Sequence, residues 1–352
     1  MTIPLVGVLG ASGAVGRAAA ESLRGHVRLR LGARRGVPYP AEEVVSADAF
    51  GNLSGFCTGC SVVLNCAGPS YRIGDRVAVA ALAAGAHYVD VSGDDPVHAA
   101  LKGRRERAMV LSAGLQPGIS GLLPRWAVSR STAVTGLSVY AGGLDRITPA
   151  AAADYLVSLD GDHGSPLAAW RNGRRAERAL QLITSADLEF FPGRVTAHPY
   201  LSTEAERLAG ALGLIELDWY TVLAGEQVRL TLNRLRGRTW TSANEAEFAL
   251  AVERLTRASA VDLAGRRTCY SIVINTAGAE RKTVVLRAAD SYRVTGVTGA
   301  LAVLAVLEGR VGPGTHFAAD VLDPGDVVAG IRRSGAASVE EYEDGAAEEG
   351  VL

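Results

Sequence analysis

The sequence predicts an α/β protein in two main parts: a doubly wound parallel sheet over residues 1–125, then an α+β domain on a mostly antiparallel or mixed sheet over residues 126–290. Three observations carry this expectation. The apolar run Leu5-Val6-Gly7-Val8-Leu9 leads into Gly10-Ala11-Ser12-Gly13-Ala14-Val15-Gly16 and then Arg17-Ala18-Ala19-Ala20-Glu21-Ser22-Leu23, which reads as strand, tight turn and helix. Short apolar runs alternate with helical stretches up to about residue 125, the pattern of a parallel sheet with crossover helices. From about residue 133 the strands lengthen and the helices fall in groups between them.

With 352 residues the chain is long enough for two cores. Lys and Arg number 36 against 37 Asp and Glu, and no basic stripe is present, so nucleic acid is not an expected partner. No basic segment followed by a long apolar run precedes the first strand, and the apolar run near residues 294–307 is too short to cross a bilayer. The expectation is a cytoplasmic protein without membrane contact. Cys57, Cys60, Cys66 and Cys269 are too few for a disulfide framework in a chain of this size. Cys57-x-x-Cys60 lacks a second ligand pair nearby in sequence, so no metal site is assigned and the pair is read as ordinary loop cysteines.

Element by element, the first turn needs glycine because a sharp turn asks for positive φ, a diphosphate must lie against bare backbone, and the helix must pack close to the strand. The helix start then offers free N–H groups to phosphate oxygens. Gly10, Ser12, Gly13, Ala14, Val15 and Gly16 are therefore the candidate phosphate cradle, although Ala11 stands where the usual G-x-G-x-x-G would begin. Val27-Arg28-Leu29-Arg30-Leu31 alternates as a half-buried strand and ends near Arg34 and Arg35. An acid at this place takes a ribose 2′-OH, whereas arginine accommodates a 2′-phosphate, so NADPH is the expected cofactor. Residues 43–45 form a weak third strand, after which Asp48 is either an adenine neighbour or a turn acid. The run Ser61-Val62-Val63-Leu64-Asn65 is a buried parallel strand that ends in Cys66, Ala67, Gly68 and Pro69, at the edge where such sheets bind ligands. A helix over residues 75–84 and strands over 87–91 and 108–112 complete this part.

In the second part, strands are expected over residues 135–143, 194–199, 214–223, 268–276 and 283–287, with helices over 148–159, 204–212 and 244–263. The segment 291–307 is apolar nearly all round, which predicts a buried helix, and residues 291–333 are expected to return to the first domain. Residues 334–352, acidic among Ala and Gly, read as a solvated, mobile tail.

Taken together, the glycine turn, the stretch from Val62 to Pro69, the stretch from Ala83 to Gly93 and Gly114-Leu115-Gln116-Pro117-Gly118 resemble the saccharopine dehydrogenase-like reductases. The closing Gly314-Thr315-His316 and Asp323-Pro324 are similar to that family as well. The resemblance implies a Rossmann-like NADP-binding domain and a nicotinamide-dependent reductase. Within that group, the segments around Trp170, Phe190 to Arg194 and His198 to Tyr200 resemble the thiazolinyl imine reductases of siderophore assembly lines. This second resemblance implies reduction of a carrier-bound thiazoline C=N bond to a thiazolidine. Enoyl thioester reduction, amino acid and keto acid coupling, and a non-catalytic NADP sensor stay open beside it. A homodimer is expected from fold analogy.

Reducing a C=N bond calls for a general acid beside the acceptor carbon, because protonating nitrogen makes that carbon a better hydride acceptor. Tyr71, just past Pro69, is one candidate, and packing under the turn is its other reading. His198, taken as the end of a strand, is the preferred imidazole, and His163 lies in a loop able to close on a ligand. His26, His87 and His98 read as structural. Asp94 reads as a helix cap. Arg171, Arg194, Glu226 and Arg229 serve either a carboxylate or phosphopantetheine, or simply a solvated face.

Overall fold

The computed structural model describes residues 3–37, 39, 43–159, 163–235, 237–240 and 244–343. In chain order the first elements are β1 (Leu5–Leu9), α1 (Ala14–Leu23), β2 (Arg28–Ala33), β3 (Glu43–Ser46), α2 (Ser54–Cys57), β4 (Val62–Asn65), α3 (Ser70–Ile73), α4 (Arg76–Ala83), β5 (His87–Asp90), α5 (Asp95–Ala100), β6 (Ala108–Leu111) and α6 (Ile119–Ser129). There follow β7 (Val134–Leu144), α7 (Pro149–Ser158), β8 (Gly164–Pro166), β9 (Ala169–Arg171), β10 (Arg174–Ala176), β11 (Ile183–Asp187), β12 (Arg194–Ser202), α8 (Thr203–Leu212), β13 (Glu216–Leu223), α9 (Glu226–Leu235), α10 (Glu245–Leu263), β14 (Cys269–Gly278) and β15 (Lys282–Ala288). The chain closes with α11 (Ser291–Leu307), β16 (Gly314–Phe317), α12 (Ala318–Val321), α13 (Pro324–Ser334) and β17 (Ser338–Glu343).

Two compact units result, one from residues 1–123 and 291–336, the other from 124–290 and 337–352. The first is built on a parallel sheet ordered β16-β6-β5-β4-β1-β2-β3, so the chain runs outward one way from β1 to β3 and the other way from β4. That reversal between β1 and β4 is the switch point of a doubly wound fold. Buried runs such as Val62-Val63-Leu64-Asn65 and Ala108-Met109-Val110-Leu111 fit strands covered on both faces. One cover is a core of Phe56, Ile73, Val77, Ala81, Tyr88 and Met109. The other includes α11, buried over most of its length as its all-round apolarity requires. A Cβ on Gly296 would stand 2.5 Å from Val15 O, so α11 and α1 pack at nearly bare-backbone distance.

The second unit carries a ten-stranded mixed sheet. β13 runs parallel to β7, and the other pairings among the described residues are antiparallel. Two of its helices are capped by local chemistry: Thr148 accepts from Ala151 N at 3.3 Å at the start of α7, and Ser202 from Ala205 N at 3.1 Å at the start of α8. Gly142 and Gly143 lie between two neighbouring backbones, where a Cβ on either would meet a carbonyl oxygen at 2.1 Å.

The α/β class with a parallel sheet and a second mixed sheet stands. Two expectations are corrected, and one segment left unassigned by the sequence proves to hold strands. Residues 338–343, expected in a mobile acidic tail, form β17, which pairs with β15 from Lys282↔Glu343 to Arg287↔Ser338. The alternating pattern Ser338-Val339-Glu340 buries Val339 and turns the acids outward, so charge alone misread a strand. Residues 344–352 lie outside those described. The segment 164–187 contains four short strands that its charged composition concealed. His198 does not end a strand: it is the fifth residue of β12, paired with Thr221.

Candidate functional site

The site develops at the carboxyl edge of the parallel sheet, from the turn after β1. Gly10 takes φ +79°, and a Cβ there would lie 2.8 Å from the backbone of Cys66 and Ala67. The turn is tied down by Gly10 N and Ala11 N donating to Gly32 O at 2.9 and 3.1 Å, and by Gly13 N donating to Gly10 O at 3.0 Å. A Cβ on Gly16 would stand 2.4 Å from Gly10 O, so the third glycine allows the helix to start against the turn. Ala11 is fully buried, and its carbonyl accepts from the Tyr39 hydroxyl at 2.9 Å. This accounts for an alanine at a place where glycine is more usual: Gly10 takes over the positive φ.

Ser12 and Gly13 are exposed, and Gly13 is the N-cap of α1 without a capping side chain. The first-turn N–H groups of Ala14, Val15 and Gly16 therefore point out of the helix end, with the positive end of its dipole behind them. That arrangement suits a diphosphate. Beyond β2, both Arg34 and Arg35 are exposed at the same edge of the sheet. Asp48 acts as a turn acid: its Oδ1 accepts from Phe50 N at 3.1 Å, and its carbonyl from Gly51 N at 2.9 Å.

The loop after β4 is held by a buried polar group that sequence reasoning assigned no role. Asn65 Nδ2 donates to Asp90 Oδ2 at 3.0 Å, Tyr88 Oη donates to the same oxygen, and Ser92 N donates to Oδ1 at 2.8 Å. Asn65 Oδ1 in turn accepts from Ala67 N at 3.1 Å, so this set fixes the backbone of Cys66, Ala67, Gly68 and Pro69 against the glycine turn. Burial raises the Asp90 carboxyl above its ordinary value, although the bonds from Tyr88, Asn65 and Ser92 pull it down. Burial and the nearby Asp90 charge push the Cys66 thiol up, which favours its protonated form. The signal in the sequence was Asn65 and Asp90, polar residues each ending a run that is otherwise buried.

Tyr71 lies in α3, two residues past Pro69, and is 43% exposed, so packing under the turn does not describe it. In the second unit, Thr203 N donates to His163 O at 3.1 Å, which anchors His163 at the start of β8. Thr203 is five residues beyond His198, so the register keeps the two histidines roughly 16 Å apart along β12. They do not form a pair. Cys57 and Cys60 are free, buried thiols, and burial pushes Cys57 up to about 11. Among the described residues no group of three or more His, Cys, Asp and Glu side chains is placed to hold a metal ion, and no helix is long and apolar enough to cross a membrane. Asp94 occupies the N-cap position of α5 without making the capping bond. His87 Nδ1 accepts from Ala108 N at 3.0 Å, and His98 stacks on Phe317 with ring centroids 4.7 Å apart. Arg171 pairs with Asp218 at 2.6 Å, and Arg194 donates to Ser185 O at 3.0 Å.

Fold and site together define a class: a two-unit α/β protein with a glycine-rich turn at the switch point of a parallel sheet. No protein-family model matches the chain, and no curated protein matches it. Among solved structures it is similar to the apo histidine-tagged saccharopine dehydrogenase (L-Glu forming) from Saccharomyces cerevisiae, with TM-score 0.67 and 14% identity over 96% of this chain and 99% of that one. C. glutamicum DAP dehydrogenase in complex with DAP follows at TM-score 0.48 and 13% identity, covering 92% and 95% of the two chains. An engineered D-amino acid dehydrogenase bound to NADP+ gives TM-score 0.46 and 12% identity over 91% and 95%. The yeast likeness establishes a shared fold, and the two lower scores add nothing to it.

Proposed function

We propose that this protein is an NADPH-dependent oxidoreductase that reduces a C=N bond, with a carrier-bound thiazoline as its substrate and a thiazolidine as product. The observation that carries the reading is the turn at the switch point, where Gly10 and Gly16 permit contacts closed to any other residue and the start of α1 is left uncapped. When bound there, a reduced nicotinamide would supply the hydride. Ala14, Val15 and Gly16 would hold the diphosphate through backbone N–H groups, with Gly10, Ser12 and Gly13 shaping the turn beneath it, and Arg34 and Arg35 would neutralise the 2′-phosphate. Cys66, Ala67, Gly68 and Pro69, fixed by Asn65 and Asp90, form the wall beside the ring. Tyr71, exposed on the same unit and just beyond that wall, donates the proton to the substrate nitrogen. The protein works as a homodimer.

The resemblance of the Trp170 and Phe190 to Tyr200 segments to thiazolinyl imine reductases supports the thiazoline. A second acceptor, an imine joining an amino acid to a keto acid, has the fold likeness to saccharopine dehydrogenase on its side.

The test follows NADPH consumption with a thiazoline thioester analogue, alongside calorimetric titration of each cofactor. Replacing Arg34 and Arg35 by Ala is expected to weaken NADPH about 10- to 100-fold and leave NADH nearly unchanged. Tyr71→Phe is expected to lower kcat about 10²- to 10⁴-fold at constant NADPH affinity. Turnover confined to an amino acid and keto acid pair would replace the thiazoline. Absence of binding by either nicotinamide would end the oxidoreductase reading.

A further inference from the structure

The carboxylate that ends β5 is buried without a counter-ion among the described residues: Asp90 is 2% exposed, and no Lys, Arg or His pairs with it. The neighbouring Asp94 adds charge of the same sign. Both carboxyl oxygens are held as acceptors, because Asn65 Nδ2 and Ser92 N, at 3.0 and 2.8 Å, can only donate, and Tyr88 Oη completes the set. Asn65 is the direct partner of Asp90 across the sheet, and its amide alone separates the carboxylate from the Ala67 N–H after β4. The loops beside the carboxylate are held in a costly shape. Ser112, buried, takes φ +57°, donates through Oγ to Gly93 O at 2.8 Å, and donates through N to Ser92 O at 2.8 Å. Gly93 takes φ +38°, and a Cβ there would stand 3.4 Å from Asp90 Cγ. Backbone strain and buried charge gather at functional sites. A buried anion without a counter-charge is destabilising, so the missing positive charge is to be sought outside the chain.

A ring that is neutral before reaction and cationic after it brings that charge as the hydride leaves. We infer that Asp90 is the electrostatic partner of the nicotinamide, favouring its oxidised, cationic form over the reduced one and so making bound NADPH a stronger hydride donor. This rests on the reading that the glycine turn binds a nicotinamide dinucleotide with its ring beside Cys66 to Pro69. In the reaction the acceptor carbon gains the hydride with its electron pair, the acceptor nitrogen gains a proton from Tyr71, and one positive charge is left on the ring. A negative charge already fixed by Asn65, Tyr88 and Ser92 stabilises that developing cation without having to reorient during the step. Asp90 touches neither the hydride nor the proton and acts by its field across the Asn65 amide.

Calorimetric titration of the full chain with NADP+, NADPH and 2′-phospho-ADP-ribose tests it, because a loosened loop weakens both ring-bearing ligands by one factor whereas loss of the charge separates them. Asp90→Asn is expected to weaken NADP+ about 3- to 30-fold relative to NADPH, with 2′-phospho-ADP-ribose, which has no nicotinamide, bound as by the wild type. Asn65→Asp combined with Asp90→Asn moves the anion one strand towards the loop after β4 and keeps a donor facing each acceptor. This double variant is expected to hold or raise the wild-type preference for NADP+ over NADPH. A fall in that preference would overturn the inference even if Asp90→Asn alone failed to fold, and unfolding midpoints show which variants are folded. Equal weakening of NADP+ and NADPH in Asp90→Asn, or none, overturns the role of the charge and leaves the dinucleotide reading intact. If the wild type binds none of the three ligands, both fall.

Discussion

His87 shows how a single side chain ties stability to pH in this protein. Its Nδ1 accepts the Ala108 N–H at 3.0 Å, and burial, aided by the Arg107 guanidinium, holds the imidazole below the ordinary histidine value. The unfolded chain therefore binds a proton more readily than the folded one as pH falls through the histidine range. Stability from this residue is present above about pH 6.5 and is lost as pH drops towards its folded value. His87→Asn keeps an acceptor at the Nδ1 position but cannot be charged. Urea unfolding of the variant at a series of pH values is expected to show a shallower loss below about pH 6.5 than the wild type. An identical slope would assign the acid sensitivity to other groups. His87 was read correctly as structural, but its partner was not legible, because Ala108 belongs to a different strand and only the sheet order brings them together.

At the scale of elements, α9 depends on a neighbour for its start. Asp262, on α10, accepts from Gln227 N at 2.9 Å and Val228 N at 2.8 Å, capping the first turn of α9 from outside the helix. The fit requires Gly225, where a Cβ would stand 2.2 Å from Asp262 Oδ2. Gly225→Ala is expected to displace the carboxylate and destabilise the protein by about 1–3 kcal/mol, read as a fall in the urea midpoint at unchanged slope. Combining it with Asp262→Ala should cost little more than Asp262→Ala alone, because the clash and the cap share one atom. Elements with strong local signals were legible: the strand, turn and helix at Leu5 to Leu23, and the all-apolar helix from Ser291 to Leu307. The short strands between Gly164 and Asp187 were not, since three- to five-residue strands rich in Arg and Ser take their identity from the neighbours they pair with. The glycine turn was legible because its glycines answer to local geometry. The meeting of Arg72 with the Phe50 ring was not, because the two residues follow different strands and come together only in the folded unit.

Considered as a whole, the chain crosses between its two units at residues 123–124, 290–291 and 336–337, so each unit is assembled from separated stretches of sequence. β17 supplies an edge of the second unit's sheet and covers the backbone of β15. Removing residues 338–352 is expected to expose that edge, lower the melting temperature by several degrees, and promote concentration-dependent association measurable by light scattering. A truncated chain that melts and scatters like the full one would show that β17 contributes little. Its inclusion in the sheet also governs the order of events at the ribosome. The first unit lacks α11 until synthesis has passed residue 307, and the second lacks its last strand until residue 343 has left the exit tunnel. Neither unit can therefore complete its sheet until a segment beyond Ser291 has been synthesised, β16 for the first and β17 for the second.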